Sequence, residues 1–301
     1  MNMRLPQARG KKTHGDRYED RAAWLLIFPF VAAYLVLFLY PTYRMAAASF
    51  TDASLTLPGE WIGFENFRDL LDDRKFQSAI VNTGFFVLLT VVPSTLLGLL
   101  VAMMIERLAG VLQALVLAFF FLPYVLPASV VANMWWAIFD HDYSALAPLW
   151  DWIVGRPVSV FRIPAWVLPV VAVLTVWWTI GFNVLLFLAG LRNIPRELYE
   201  AGALDGAGRL AQFRAITWPL IWPVTALVLT IQLILQMKVF DQVYLLSSGH
   251  RSEIVLVQYL YIMAFQQNRS GYGSAIALGL FVIVMAISVL QYQLLRARGQ
   301  R

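Results

Sequence analysis

A chain of 301 residues that is 60% hydrophobic and 14% charged is far from a soluble globular domain, where about 45–50% and about 25% are usual. The composition excludes an ordinary soluble enzyme and points to a membrane protein, so the formal charge of +5 is read as topology rather than as nucleic-acid binding. With no cysteine in the sequence, disulfides and thiolate metal sites are excluded as well.

Residues 1–23 form a basic segment, expected to be cytoplasmic and to lie against anionic membrane lipid. Residues 24–295 then hold six apolar runs near the 20 residues a helix needs to cross a hydrocarbon core: 24–45, 82–105, 111–139, 167–191, 222–239 and 272–295. Residues 296–301 form a short basic tail. The first run exceeds the 7–15 residues of a signal-peptide core, and the alternation of a membrane β-barrel is missing throughout. The predicted fold is an all-α integral membrane protein of six transmembrane helices with one polar helix between spans four and five.

Charge orients the spans. The side carrying the N-terminus, Arg107, the 193–219 loop and the C-terminus holds 14 of the 23 Lys and Arg against seven acids, and the other side nine against eleven. Positive residues stay cytoplasmic, so both termini and the 193–219 loop are expected there. The loops 46–81, 140–166 and 240–271 then face outward. In the 140–166 loop, His141 between Asp140 and Asp142 is read as a solvated residue, and no metal site or catalytic constellation is expected.

The 193–219 loop carries helix start signals in Asn193, Pro195 and Glu197, which predict a helix over 195–204. Leu198, Ala201 and Gly202 share one face at i, i+3, i+4, and small side chains at 201–203 leave room for another surface. Asp205-Gly206 reads as a turn in which Gly206 takes the left-handed conformation. A second helix over 209–216 should feed span five. On spacing alone, an interfacial hairpin with Glu200 and Asp205 as solvated charges is an equal alternative.

The order Glu200-Ala201-Gly202, Gly206, Ile216, Trp218-Pro219 resembles the EAA loop of binding-protein-dependent ABC importer permeases. That family has Ala at the place of Gly202 and Leu at that of Trp218. The resemblance extends from Trp24-Leu25-Leu26-Ile27-Phe28-Pro29 through Gly63-Phe64-Glu65-Asn66-Phe67 to Gly271-Tyr272-Gly273-Ser274-Ala275, and is to the carbohydrate-uptake type. Ser248-Gly249-His250-Arg251 departs from its usual Gly-Gly-Pro. The resemblance implies a bacterial-type inner-membrane permease working with a second permease subunit, two ATPase subunits and an extracytoplasmic solute-binding protein. It assigns ATPase coupling to Glu200, Ala201, Gly202, Asp205 and Gly206. ATP and Mg are expected in the partner ATPase, since this chain has no phosphate-loop motif, and no cofactor is expected on the chain itself.

Polar residues within spans more often face a bundle interior or a water-filled cavity than lipid. Tyr124 lies between Pro123 and Pro127, where the helix should break or kink. Trp177, Asn183, Gln232, Gln236 and Asp241 join it as candidates for a path taken by a sugar-like solute, because amides and aromatic faces suit a pyranose. Comparison with maltose-type permeases adds Gly181. Ser129, Asn133, Trp178 and Thr179 are further polar or amphipathic positions in the same spans. Interhelical hydrogen bonding or interface anchoring is the alternative for each. An ion-coupled secondary transporter is the competing class, and it is disfavoured by spans nearly free of Asp and Glu.

Overall fold

The computed structural model describes residues 14–139, 144, 146–155, 159–247 and 253–299. The start of the basic segment, the Asp140-His141-Asp142 stretch and Ser248-Gly249-His250-Arg251 lie outside the described residues. The first helix, α1 (His14–Tyr34), begins ten residues before the predicted span and passes through a π-helical turn, Leu35–Leu39, into α2 (Tyr40–Ala48). A short α3 (Glu65–Asp72) precedes α4 (Arg74–Glu106), which starts eight residues ahead of the second predicted span.

The third predicted span is two helices, α5 (Gly110–Val125) and α6 (Ala128–Phe139), bent by 98°. Pro123 sits in the last turn of α5 and Pro127 follows Leu126, whose ψ of 139° is extended. A residue before proline is driven out of the helical region, so the break falls where the two prolines put it. Next come α7 (Ala147–Val154), a 3-10 turn (Val160–Arg162), α8 (Pro164–Arg192), α9 (Arg196–Leu204) and α10 (Arg209–Gln212). A π-turn, Phe213–Thr217, carries α10 into α11 (Trp218–Met237); α12 (Asp241–Leu246), α13 (Leu256–Tyr261), a π-turn (Ile262–Gln266) and α14 (Ser270–Gly299) complete the chain. Among the described residues, five helical stretches are long and apolar enough to cross a membrane, or six if the bent α5–α6 pair is one span.

Two of the π-turns share a cause. Each is followed by a residue and then a proline, Tyr40-Pro41 and Trp218-Pro219. Proline has no N–H and its ring crowds the carbonyl one turn back. The helix widens instead of breaking, so that Tyr40 N–H donates to the Leu35 carbonyl and Trp218 N–H to that of Phe213, both five residues back.

Helices α4, α8 and α11 form the centre. Leu99, Ala102, Ile105, Val184, Phe187, Ile221 and Val228 pack between them, and a second cluster joins α6, α8 and α12 through Val131, Val171, Phe161 and Val243. Where helices cross, glycine sets the distance. A Cβ on Gly181 would stand 2.2 Å from the Phe120 carbonyl oxygen and 2.6 Å from the Phe121 Cα on α5, and one on Gly98 would stand 2.8 Å from the Asn183 Cβ. Such backbone approach supplies the van der Waals contact that joins helices when lipid removes the hydrophobic drive. By contrast, no residue between Trp24 and Ala48 is buried, and α2 touches the bundle along α14.

At the Arg74 end of α4 a carboxylate fastens three elements. Asp73 Oδ1 accepts from the backbone N–H of Lys75 (2.8 Å) and Phe76 (3.4 Å) as the N-cap of α4. Its Oδ2 accepts from the phenols of Tyr259 on α13 and Tyr272 on α14, the latter at 2.7 Å. Arg269 lies 4.5 Å over the Tyr272 ring. Burial pushes the Asp73 carboxyl up, but the phenol and backbone donors outweigh it and hold the pKa below its ordinary value. Burial, then the bond to Asp73 and its charge, push the Tyr259 phenol up. Beside this clasp, Asn66 donates to the carbonyls of Ser49 (2.9 Å) and Thr51 (2.8 Å), and Gly271 N–H donates to that of Ala53 (2.8 Å).

Two predictions follow from this packing. Gly181→Ala should lower stability by about 1–3 kcal/mol, the usual cost of overpacking, because backbone of α5 stands in the way; an unchanged melting temperature in detergent would contradict the close crossing. Asp73→Ala should cost about 1–2 kcal/mol from the lost cap alone. Since the native carboxyl is held low, its contribution is full above the ordinary carboxylate pKa and vanishes as pH falls through the lowered native value. Thermal unfolding between neutral and acid pH should therefore show a smaller acid loss in Asp73→Asn than in the parent, and equal losses would refute the clasp.

Candidate functional site

The loop between α8 and α11 is a folded hairpin. Asn193 does not cap α9 as its residue type suggested: it ends α8, its N–H donating to the Gly190 and Leu191 carbonyls, and Pro195 takes the N-cap position. Proline tolerates that place because its missing N–H has no intrahelical partner there. At the other end Gly206 has φ +78°. The turn closes through Asp205 N–H to the Ala201 carbonyl (3.0 Å), Gly206 N–H to that of Ala203 (3.1 Å) and Ala207 N–H to that of Gly202 (2.8 Å). These bonds satisfy carbonyls that a helix end leaves free.

One face of α9 is fixed to the returning chain. The hydroxyls of Tyr199 and Thr217 are 2.9 Å apart, and the Gln212 amide donates to the Tyr199 carbonyl at 3.4 Å. Gly202 lies on this face: an added Cβ would meet the Ile216 Cδ1 at 3.3 Å, an approach a side-chain tip can relieve. It therefore parts company with Leu198 and Ala201, which the spacing grouped with it. The other face is open, with Glu197, Leu198, Glu200, Ala201 and Leu204 exposed. Leu204 is 89% exposed. An apolar side chain that free at a loop tip, with carboxylates one turn behind, is a surface suited to a protein partner.

The base of the hairpin is tied to its neighbours. Arg192 donates to the Gln113 Oε1 (2.7 Å), and Gln113 donates to the Ile105 carbonyl (3.0 Å), joining the ends of α8, α5 and α4. A cavity of about 330 Å³ lies between this base and the hairpin, lined by Glu106, Arg107, Tyr199, Arg209 and Thr217 among others.

The seven path candidates divide. Asn183, Gln232 and Gln236 form a chain of amides: Gln236 donates to Gln232 (3.1 Å), Gln232 to Asn183 (2.6 Å), and Asn183 to the Ser94 carbonyl (3.1 Å). All three are buried, at 0%, 0% and 3% exposure, so they knit α11, α8 and α4 inside the bundle. Gly181 is pressed on α5. On α8, Gly181 and Asn183 are two residues apart, roughly 200° around the axis, and face opposite ways. Tyr124 stacks on Phe182 (5.4 Å between centroids), and the half-exposed Trp177 leans on Trp135 (5.9 Å). Asp241 opens α12 and is exposed. Tyr124, Trp177 and Asp241 are thus the candidates that reach a surface.

Sequence reasoning passed over Leu204, whose signal was a leucine at the edge of a polar turn, and the Asp73, Tyr259 and Tyr272 cluster, in which Asp73 lies 186 and 199 positions from the two tyrosines and shares no local pattern with them. It also passed over a cavity of about 620 Å³ between α12 and α13.

Residues 94–300 match the family described as binding-protein-dependent transport system inner membrane component. The sulfoquinovosyl glycerol transport system permease protein SmoG of Agrobacterium fabrum is 31% identical over 94% of this chain and 92% of its own. The arabinooligosaccharides permease AraP of Halalkalibacterium halodurans is 32% identical over 90% and 86%, and the trehalose/maltose permease MalF of Thermococcus litoralis is 30% identical over 93% and 95%. In fold, the chain superposes on a chain of a bacterial ABC transporter involved in the import of the acidic polysaccharide alginate, with a TM-score of 0.83 and 24% identity over 94% of this chain and 98% of that one. A second alginate transporter structure, in complex with an alginate pentasaccharide-bound periplasmic protein, gives 0.85 at 23% identity over 96% and 99%. With the family pattern covering most of its length and relatives at 30% identity or more along nearly all of it, the chain belongs to the inner membrane components of binding-protein-dependent transport systems.

Proposed function

We propose that this permease forms, with a second permease subunit, the path of an ATP-driven importer for a sugar or sugar-like solute, and that α9 is its coupling helix. The observation that carries the reading is the two-sided build of α9: one face is held to the returning chain by Tyr199, Gly202 and Gln212, and the other offers Glu200 and the bare Leu204. A rigidly mounted helix with a free face transmits displacement. Glu200 is the carboxylate for a basic residue of the ATPase, Leu204 the apolar contact, and Ala201, Asp205 and Gly206 keep the tip narrow and turned.

Two ATPase subunits supply ATP and Mg chemistry, and a solute-binding protein delivers cargo to the opposite face. The relatives named for sulfoquinovosyl glycerol, arabinooligosaccharides and trehalose or maltose support a carbohydrate-class solute. The stretch Trp24–Ala48 supports a second permease, since an apolar helix with no buried residue leaves a long face for another subunit or lipid. The charge asymmetry of the loops supports a cytoplasmic position for both termini and α9. Of the path candidates, Tyr124, Trp177 and Asp241 are retained as wall residues, while Asn183, Gln232, Gln236 and Gly181 set the spacing of the helices behind them.

Glu200→Arg and Leu204→Asp should each reduce solute-stimulated ATP hydrolysis of the assembled importer by roughly tenfold or more, the scale of a coupling energy of 1–3 kcal/mol, with membrane insertion of the permease unchanged. Full stimulation in both variants would remove α9 from the coupling role. Uptake that persists without ATP would instead favour the ion-coupled class.

A further inference from the structure

We propose that the cavity between α12 and α13, at the end of the bundle opposite α9, is a binding site for a short acidic saccharide. The proposal rests on the carbohydrate reading above and deepens it by naming a place and a charge. The cavity holds about 620 Å³, within the range of small-ligand sites and enough for a few sugar rings.

Its wall has the chemistry a saccharide requires. Tyr244 brings an exposed aromatic ring and Gln266 an exposed amide, while Tyr259, Gln258 and Ser247 complete the wall with little exposed surface. Amides and hydroxyls both donate and accept, which matches sugar hydroxyls. The wall is also braced. Tyr244 is stacked on Phe240 (5.1 Å between centroids) and met edge-on by Tyr261 (5.3 Å), while the Tyr259 phenol is bound to Asp73. Rings held in this way lose little freedom when a sugar covers them.

An unsatisfied group points to a ligand independently. Gln258 is 4% exposed and donates to the Ser247 hydroxyl at 3.3 Å, yet its Oε1 is buried with no donor. Buried polar atoms are rarely left so, and a sugar hydroxyl would reach this one once the Gln258 amide turns toward the cavity. The charge follows from Lys75. Among the described residues of this lining it is the one ionisable side chain other than the two phenols. An ammonium at the wall favours a saccharide that carries a negative group of its own.

The test is photolabelling of the assembled importer in lipid nanodiscs with diazirine-tagged trigalacturonate, with diazirine-tagged maltotriose as the neutral counterpart and labelled peptides mapped by mass spectrometry. The uronate probe should label residues 241–247 and 253–267, be displaced by excess untagged trigalacturonate, and exceed the neutral probe there. Lys75→Gln, a surface change that leaves folding intact, and Gln258→Leu should each lower that labelling by roughly tenfold, the equivalent of one charge-assisted hydrogen bond, and Lys75→Arg should restore it. Labelling elsewhere only, or labelling unmoved by Lys75→Gln, overturns the site. ATP-driven uptake of a saccharide in those same preparations, without labelling here, sinks this site and leaves the functional reading standing; an importer that takes up no saccharide sinks both.

Discussion

Inside hydrocarbon a polar group has no water to fall back on, and this chain meets that constraint with a run of amides. From Gln236 through Gln232 to Asn183 and on to the Ser94 carbonyl, each donor finds an acceptor. The run ties α11 to α8 and α8 to α4. Breaking it in the middle would strand buried donors and acceptors, which costs more than the bonds themselves contribute. The three helices are therefore held in register by groups that have nowhere else to go.

Glycine completes what the amides begin. Gly98 lets α4 close on Asn183 itself, and Gly181 lets α8 close on α5. The amide run and the Gly181 contact occupy different sides of α8, so this helix is gripped from both. It leads through Asn193 and Pro195 into α9, and α11 receives the returning chain through the π-turn before Trp218-Pro219. In the proposed coupling, a push on the open face of α9 would be delivered to two helices bonded or packed to α4.

Much of this was legible in the residues. Apolar runs of the right length marked the helices, Pro123 and Pro127 marked the break between α5 and α6, and Asp205-Gly206 marked the left-handed turn. These signals are local, so a linear reading finds them. Other features were hidden for physical reasons. Asn, Gln and Trp within spans suit both a water-filled wall and an interhelical bond, and helical phase decides between them only once the neighbours are known. Asn193 has the residue type of a cap, yet Pro195 took the place. The bonds of Asp73 to Tyr259 and Tyr272 join residues 186 and 199 positions apart, and the cavity beside them is assembled from α12, α13 and the start of α4.

The central claim, that the amide run holds α4, α8 and α11 as one unit, is tested most directly by a double-mutant cycle. Asn183→Leu, Gln232→Met and the pair should be compared by thermal unfolding of the purified permease. The account predicts a coupling energy of about 0.5–2 kcal/mol, the range for hydrogen bonds between membrane helices. Effects that add to within about 0.3 kcal/mol would contradict it.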